Sequence, residues 1–288
     1  MFQHRHVLVV GGTKGIGKAI TQALWRYGAQ VTYTGRTPPS PCPSEFKSNP
    51  PVYVPSDLST VRGSLLFSER KINFAKGFDT VVFCQGVTAA PTLQINSEGI
   101  EQDFCTSYLS RFALLNSFLG RKHSTIQQVY VFGFPGVEYQ AMRNMEDLNF
   151  VNTKYSQYDA HYNTIVCNEC LVYEAARRYP GLRVFGMNPG IVPTGIRTNS
   201  YGGSDTVMGR ASELLVWALN PSAEAYVERT VLPLMSNPEQ LAFPMSYSSK
   251  GKPLPPAGWL AHEENRRWVW DVSHHMVKRA SQPPLGSS

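Results

Sequence analysis

The stretch His6–Gly17 reads HVLVVGGTKGIG, and the fold turns on how it is read. From His6 to Val10 the chain is mostly β-branched and apolar, suited to a strand buried on both faces. Glycines follow at Gly11, Gly12, Gly15 and Gly17. Ile16, Ile20, Ala23 and Leu24 then recur on one face, which predicts a helix over Gly15–Tyr27. A strand passing through a glycine turn into a helix is the first half of a βαβ unit. Such a turn brings backbone close to a ligand, and the helix N-terminus favours an anion such as a pyrophosphate. The spacing alone also suits a plain tight turn. Its place between strand and helix is what gives it weight.

Outward from this unit, short apolar runs predict strands at Val31–Thr34, Val52–Val54, Thr80–Phe83, Val129–Phe132 and Val184–Met187. Between and after them, helical patterns cover Ile100–Leu119, Tyr158–Tyr179 and His262–Ala280. This alternation implies an α/β fold, a Rossmann-type doubly wound parallel sheet with helices on both faces. No repeat or linker divides the chain, so one domain is expected over residues 1–280, with a flexible tail at 281–288. The proline-rich segment Thr37–Pro51 and the segment Gly251–Gly258 read as loops. Trp268, Val269, Val272 and Met276 form an apolar stripe on the last helix, suited to the core.

Composition narrows the function classes. Of 288 residues 42% are apolar and 17% charged, which describes an ordinary globular protein. The net charge of +6 comes from scattered residues (Lys47, Arg62, Arg70, Lys71, Lys76, Arg177, Arg178) with no basic run, which argues against nucleic acid. The expected partner is a small molecule. Five cysteines, odd in number and uneven in spacing, do not form a disulfide framework. Cys167 and Cys170 make a CxxC inside a helix with no second pair, so two half-buried free thiols are expected and no metal site. No apolar run approaches a membrane span, and the first strand begins too early for a signal peptide. A cytoplasmic protein is the expectation.

The end of the second strand bears on which dinucleotide would fit. A carboxylate there would bind a ribose 2′-hydroxyl; here the strand ends TYTGRT, with Arg36 and, in the glycine turn, Lys14. Two cations suit a 2′-phosphate and hence NADP(H), although both also fit solvated surface charges.

Over roughly its first two hundred residues the chain resembles the short-chain dehydrogenase/reductase family. The family's glycine motif appears as VGGTKGIG, placing Gly11, Thr13, Lys14, Gly15, Ile16 and Gly17 at the cofactor. Asp57 and Leu58 in SDLS match the adenine-contacting position after the third strand. Cys84-Gln85-Gly86 partly matches the motif after the fourth. Pro189-Gly190-Ile191-Val192-Pro193-Thr194 reproduces the PGxxxT that binds the nicotinamide end. The resemblance also implies copies pairing, as in a homodimer, through two long helices, and a substrate lid around residues 195–235. Within that lid, Arg197–Arg210 holds Gly202, Gly203 and Gly209, suiting a mobile loop.

The family's proton relay of Asn, Ser, Tyr and Lys is not matched. No lysine lies four residues after a tyrosine. Counting back from PG places His161 at the tyrosine and Ile165 at the lysine; the serine, expected at the end of the fifth strand in VYVFGF, falls on Gly133, and the asparagine, expected within FCTSYLSRF, on Ser107. Three readings follow. The chain transfers hydride to a polarised acceptor, an iminium or an enone; or it is an isomerase, cyclase or dehydratase of the same fold; or it is a non-catalytic NADP(H) sensor. His161 is the leading catalytic candidate, with Tyr158 and Tyr162 beside it, because an imidazole exchanges protons near neutral pH. A histidine bonded to a backbone carbonyl at a helix start, and tyrosines packed in the core, fit the same residues.

Overall fold

A computed structural model of the chain describes residues 2–38, 49–70, 77–121, 124–136, 142–193 and 220–282. Within these, eight strands form one sheet in the order β3-β2-β1-β4-β5-β6-β7-β8. The strands are β1 (His6–Val10), β2 (Gln30–Gly35), β3 (Val52–Pro55), β4 (Thr80–Phe83), β5 (Gln128–Phe132), β6 (Arg183–Met187), β7 (Met245–Tyr247) and β8 (Pro253–Leu254). All pairs are parallel except β7 with β8. β1 lies between β2 and β4, with Val7 opposite Val31 on one side and Thr80 on the other. The order therefore reverses at β1, leaving a crevice at the strand C-termini between β1 and β4.

The period of two along each strand divides the core. Leu8, Val10, Val81, Phe83, Val129, Val131 and Val184 face one apolar cluster. Val7, Val9, Val82, Tyr130, Phe132, Phe185 and Met187 face the other. The first cluster is closed by α2 (Val61–Arg70), α4 (Ser110–Leu119), α5 (Gln157–Arg178) and α8 (Glu263–Ser281). The second is closed by α1 (Gly15–Arg26) and by α6 (Ala223–Tyr226), a π turn (Val227–Val231) and α7 (Leu232–Ser236). A single turn α3 (Gln102–Phe104) and a π turn (Cys105–Leu109) lead into α4.

The doubly wound sheet matches the expectation, with three additions. The sequence reading lacks α2, β7 and β8. The cap of α2 is remote: Glu98 accepts from Val61 N at 2.6 Å and Arg62 N at 2.8 Å, a contact no local window contains. β7 is three residues long and gains its place by pairing with β6.

One expectation is corrected, and part of the expected lid segment is located. Cys167 and Cys170 are fully buried rather than half-buried, because α5 is enclosed by the sheet, by α8 and by the π turn before α4; both are free. In the lid segment, residues 223–235 are helical, and Ala223, Tyr226, Val227 and Val231 are core residues in the same cluster as Ile20 and Leu24 of α1. Its glycine-rich part, Arg197–Arg210, lies outside the described residues, as do Cys42 and residues 283–288 of the tail. Among the described residues no helix is long and apolar enough to cross a membrane.

Candidate active site

A cleft of about 640 Å³ runs along the strand C-termini at the point where the sheet order reverses. One end is built by the glycine turn. Gly11 has φ +84°, and a Cβ on it would overlap Gln85 N. A Cβ on Gly17 would overlap Gly11 O, so α1 can start this close to β1 only with glycine there. The first turn of α1 carries no acidic residue. Its N–H groups are therefore available to an anion. Thr13, Lys14, Gly15, Ile16, Arg36 and Leu58 line this end, with Lys14 and Arg36 exposed.

The other end is lined by Gln85, Gly86, Ser107, Arg111, Gly133, His161, Ile165, Pro189 and Gly190. The four positions that stand where the family has its proton relay, His161, Ile165, Gly133 and Ser107, thus share one cleft. Other assigned residues stand elsewhere. Asp57 is not on the cleft wall and accepts from Ser59 N at 3.0 Å. Ile191 is exposed, and Val192 takes the wall instead. Thr194 lies outside the described residues.

The catalytic trio of the sequence reading is divided. Tyr158, one turn before His161, is 67% exposed and off the cleft. Tyr162 is buried in the core beneath the Arg143 guanidinium, 4.6 Å from its ring centroid. Successive helix positions point about 100° apart, so the residue after His161 turns from the cleft into the core. Both tyrosines therefore stand off the cleft wall, and they stack on each other at 6.5 Å.

His161 keeps its place and gains a partner. Its Nδ1 lies 2.6 Å from Asp103 Oδ2, on fully buried Asp103 of α3. It is not the backbone carbonyl considered from sequence. Burial pulls the imidazole pKa down, but the Asp103 charge, its hydrogen bond and the charge of Glu101 outweigh that and raise it above the ordinary value. With Nδ1 held by a carboxylate, Nε2 is the nitrogen left for the cleft.

A second feature was not read from sequence. Arg111 of α4 is 3% exposed and reaches across the ends of two strands. It donates through Nη1 to Phe132 O at 2.6 Å and Asn168 Oδ1 at 3.0 Å, and through Nη2 to Gln85 O. Asn168 Nδ2 in turn donates to Ser107 O at 2.9 Å, and Ser107 Oγ donates to Val87 O at 3.0 Å. Burial lowers the arginine pKa to about 10, opposed by Cys84 and Asp103, so it stays cationic at neutral pH. The only signal in sequence is a charge amid the otherwise apolar LSRFALL.

Comparison with known proteins gives these features a family. The family model for short chain dehydrogenases matches residues 5–124. An uncharacterized oxidoreductase of Saccharomyces cerevisiae is 32% identical over 297 residues, covering 100% of this chain and 93% of the relative. Retinol dehydrogenase 14 of Homo sapiens is 24% identical over 293 residues, covering 94% and 85%. A crystal structure of a Burkholderia multivorans short-chain dehydrogenase/reductase with bound NADP superposes with a TM-score of 0.59. That match covers 87% of this chain and 98% of the other at 15% identity, so the likeness is one of fold. With a full-length relative at this identity and the doubly wound sheet in place, the chain belongs to the short-chain dehydrogenase family.

Proposed function

We propose that this chain is an NADP(H)-dependent oxidoreductase that reduces a neutral, polarised carbonyl compound of the enone type, with His161 as proton donor. The observation that carries it is the 2.6 Å His161–Asp103 pair in the same cleft as the glycine turn. The cofactor fits on this chain's own features. The Gly11 and Gly17 backbones are packed too closely for any side chain, the first turn of α1 is free of acids, and exposed Lys14 and Arg36 suit a 2′-phosphate. Gln85, Gly86, Pro189 and Gly190 would hold the nicotinamide end. When bound, NADPH supplies hydride.

The chain's own residues do the rest. Hydride addition to an enone moves an electron pair onto the carbonyl oxygen, and the enolate so formed must take a proton. Asp103 fixes the ring through Nδ1, so the Nε2 proton of His161 is the one delivered, and Asp103 stabilises the imidazolium beforehand. Arg111 adds a fixed cation to the same end. Two cations offset by one carboxylate favour a neutral acceptor that becomes anionic over an iminium that enters positive.

The four described free cysteines suit the reducing cytosol. The α4–α5 side of the sheet is covered by α8, whose Trp270 packs edge-on to Phe112 of α4 at 4.7 Å. The chain is therefore read as a monomer rather than a homodimer paired through those helices.

The test is steady-state reduction of a conjugated enone with NADPH by wild type and His161→Phe. The variant is expected to lose about 10²–10⁴-fold in kcat while still binding NADPH. Wild-type rates in the variant would overturn the role of His161. Firm NADPH binding with no turnover of any acceptor would favour the sensor, and turnover without NADPH consumption the isomerase, cyclase or dehydratase.

A further inference from the structure

Behind the His161–Asp103 pair stands a second buried carboxyl group. Glu101 is 1% exposed and Asp103 fully buried, two residues apart where the chain enters α3. Glu101 Oε2 accepts from Phe104 N at 2.7 Å, while its Oε1 is buried with no hydrogen-bond partner. Asp103 repeats the pattern: Oδ2 is engaged by His161 and Oδ1 is buried without a partner. The groups facing Glu101 are Asp103, His161 on α5, Tyr155 just before α5, and Cys105 of the π turn. Burial pushes the Tyr155 phenol and the Cys105 thiol up, so both stay neutral. Within this set His161 is the group whose positive charge is gained and lost near neutrality; Arg111 of α4 faces Asp103 from the other side as a fixed cation.

A buried carboxyl and an imidazole that both face the Asp103 carboxylate cannot titrate independently. With Glu101 ionised, imidazolium supplies the compensating charge that can come and go beside it. With Glu101 protonated, a neutral imidazole gives the same net charge. Resting on the proposed donor role of His161, we infer that Glu101 is a positioning residue that sets the charge of His161 from behind Asp103. Glu101 and His161, on either side of the Asp103 carboxylate, act as one titrating unit that keeps the donor protonated through neutral pH. Glu101 touches neither the cleft nor a reacting atom. Burial first and the Asp103 charge second raise its carboxyl to about 7, where the exchange is needed.

The test is an NMR titration of the full-length chain with ring-labelled histidine, the His161 signal being assigned by its loss in His161→Phe. Glu101→Gln keeps an oxygen for Phe104 N and removes the charge. The His161 midpoint is expected to fall by about half a pH unit or more, and the alkaline limb of kcat/KM to move with it. An unchanged midpoint overturns the inference even if His161→Phe is inactive. A midpoint that falls in Glu101→Gln, with His161→Phe fully active, keeps the coupling and removes the donor role instead. Should Glu101→Gln not fold, the labelled carboxyl of Glu101 in wild type decides. It is expected to titrate together with His161 near neutrality, and a titration complete by about pH 5, as for an ordinary glutamate, overturns the inference.

Discussion

Arg111 of α4 donates to Asn168 of α5 at 3.0 Å, and through this pair the two long helices hold the C-terminal ends of β4 and β5 that floor the cleft. Replacing the arginine leaves Phe132 O, Gln85 O and Asn168 Oδ1 facing one another without a donor. Arg111→Met is expected to cost about 3–5 kcal/mol in urea unfolding, and Arg111→Lys, which keeps the charge but not the fork, about 1–3 kcal/mol. A lysine variant as damaged as methionine would show that geometry outweighs charge; a methionine variant as stable as wild type would refute the anchoring role.

The proposed preference for NADP(H) rests on Lys14 and Arg36. Tighter binding of NADPH than NADH is expected by at least about tenfold, corresponding to roughly 1.5–3 kcal/mol for charge-assisted contacts to one phosphate. Arg36→Ala should remove most of that preference by weakening NADPH while leaving NADH unchanged. Fluorescence titration of both nucleotides measures this, and equal affinities for wild type would refute the assignment.

The sheet was legible because its strands are apolar on both faces and its first turn is written in glycine. β1 and β4 carry their observed bounds in the sequence, His6–Val10 and Thr80–Phe83. What escaped depends on distant partners. α2 is capped by Glu98, and Asp103 meets His161 from 58 residues away. Counting back from PG was enough to bring His161 and Ile165 to the cleft, because a helix and a strand of fixed rise separate them from Gly190. Choosing among Tyr158, His161 and Tyr162 was harder. The stretch YSQYDAHYNTIV has polar and aromatic residues on every face, and only packing against Arg143 and the core shows which way each one points.

Trp270 tests the covering of the α4–α5 side. It is 5% exposed, packs on Phe112, and carries the Arg178 guanidinium 4.9 Å from its ring centroid. Trp270→Ala is expected to cost about 3–5 kcal/mol. By light scattering, wild type should run at the 32.1 kDa of one chain. A wild-type dimer that persists in the variant would show that copies pair by another surface.

Stability should also fall as the solution turns alkaline, for a reason the buried carboxyls supply. Glu169 of α5 is 5% exposed; burial raises its carboxyl to about 7, against the pull of one hydrogen bond from Gly136 N at 3.2 Å. Glu101 is raised to about 7 and His161 is raised as well. In each case the folded chain holds its proton more tightly than the unfolded chain. The stabilisation is therefore fully present below the unfolded pKa and is lost as pH rises through the folded one. For Glu169 the window runs from 4.5 to about 7 and is worth at most roughly 3 kcal/mol. Urea unfolding between pH 5 and pH 9 should show wild type weakening across neutrality. Glu169→Gln, which cannot ionise, should lose a corresponding part of that slope and exceed wild type in stability at the alkaline end. A Glu169→Gln curve parallel to wild type would place the Glu169 proton in the ordinary carboxylate range and remove it from the account.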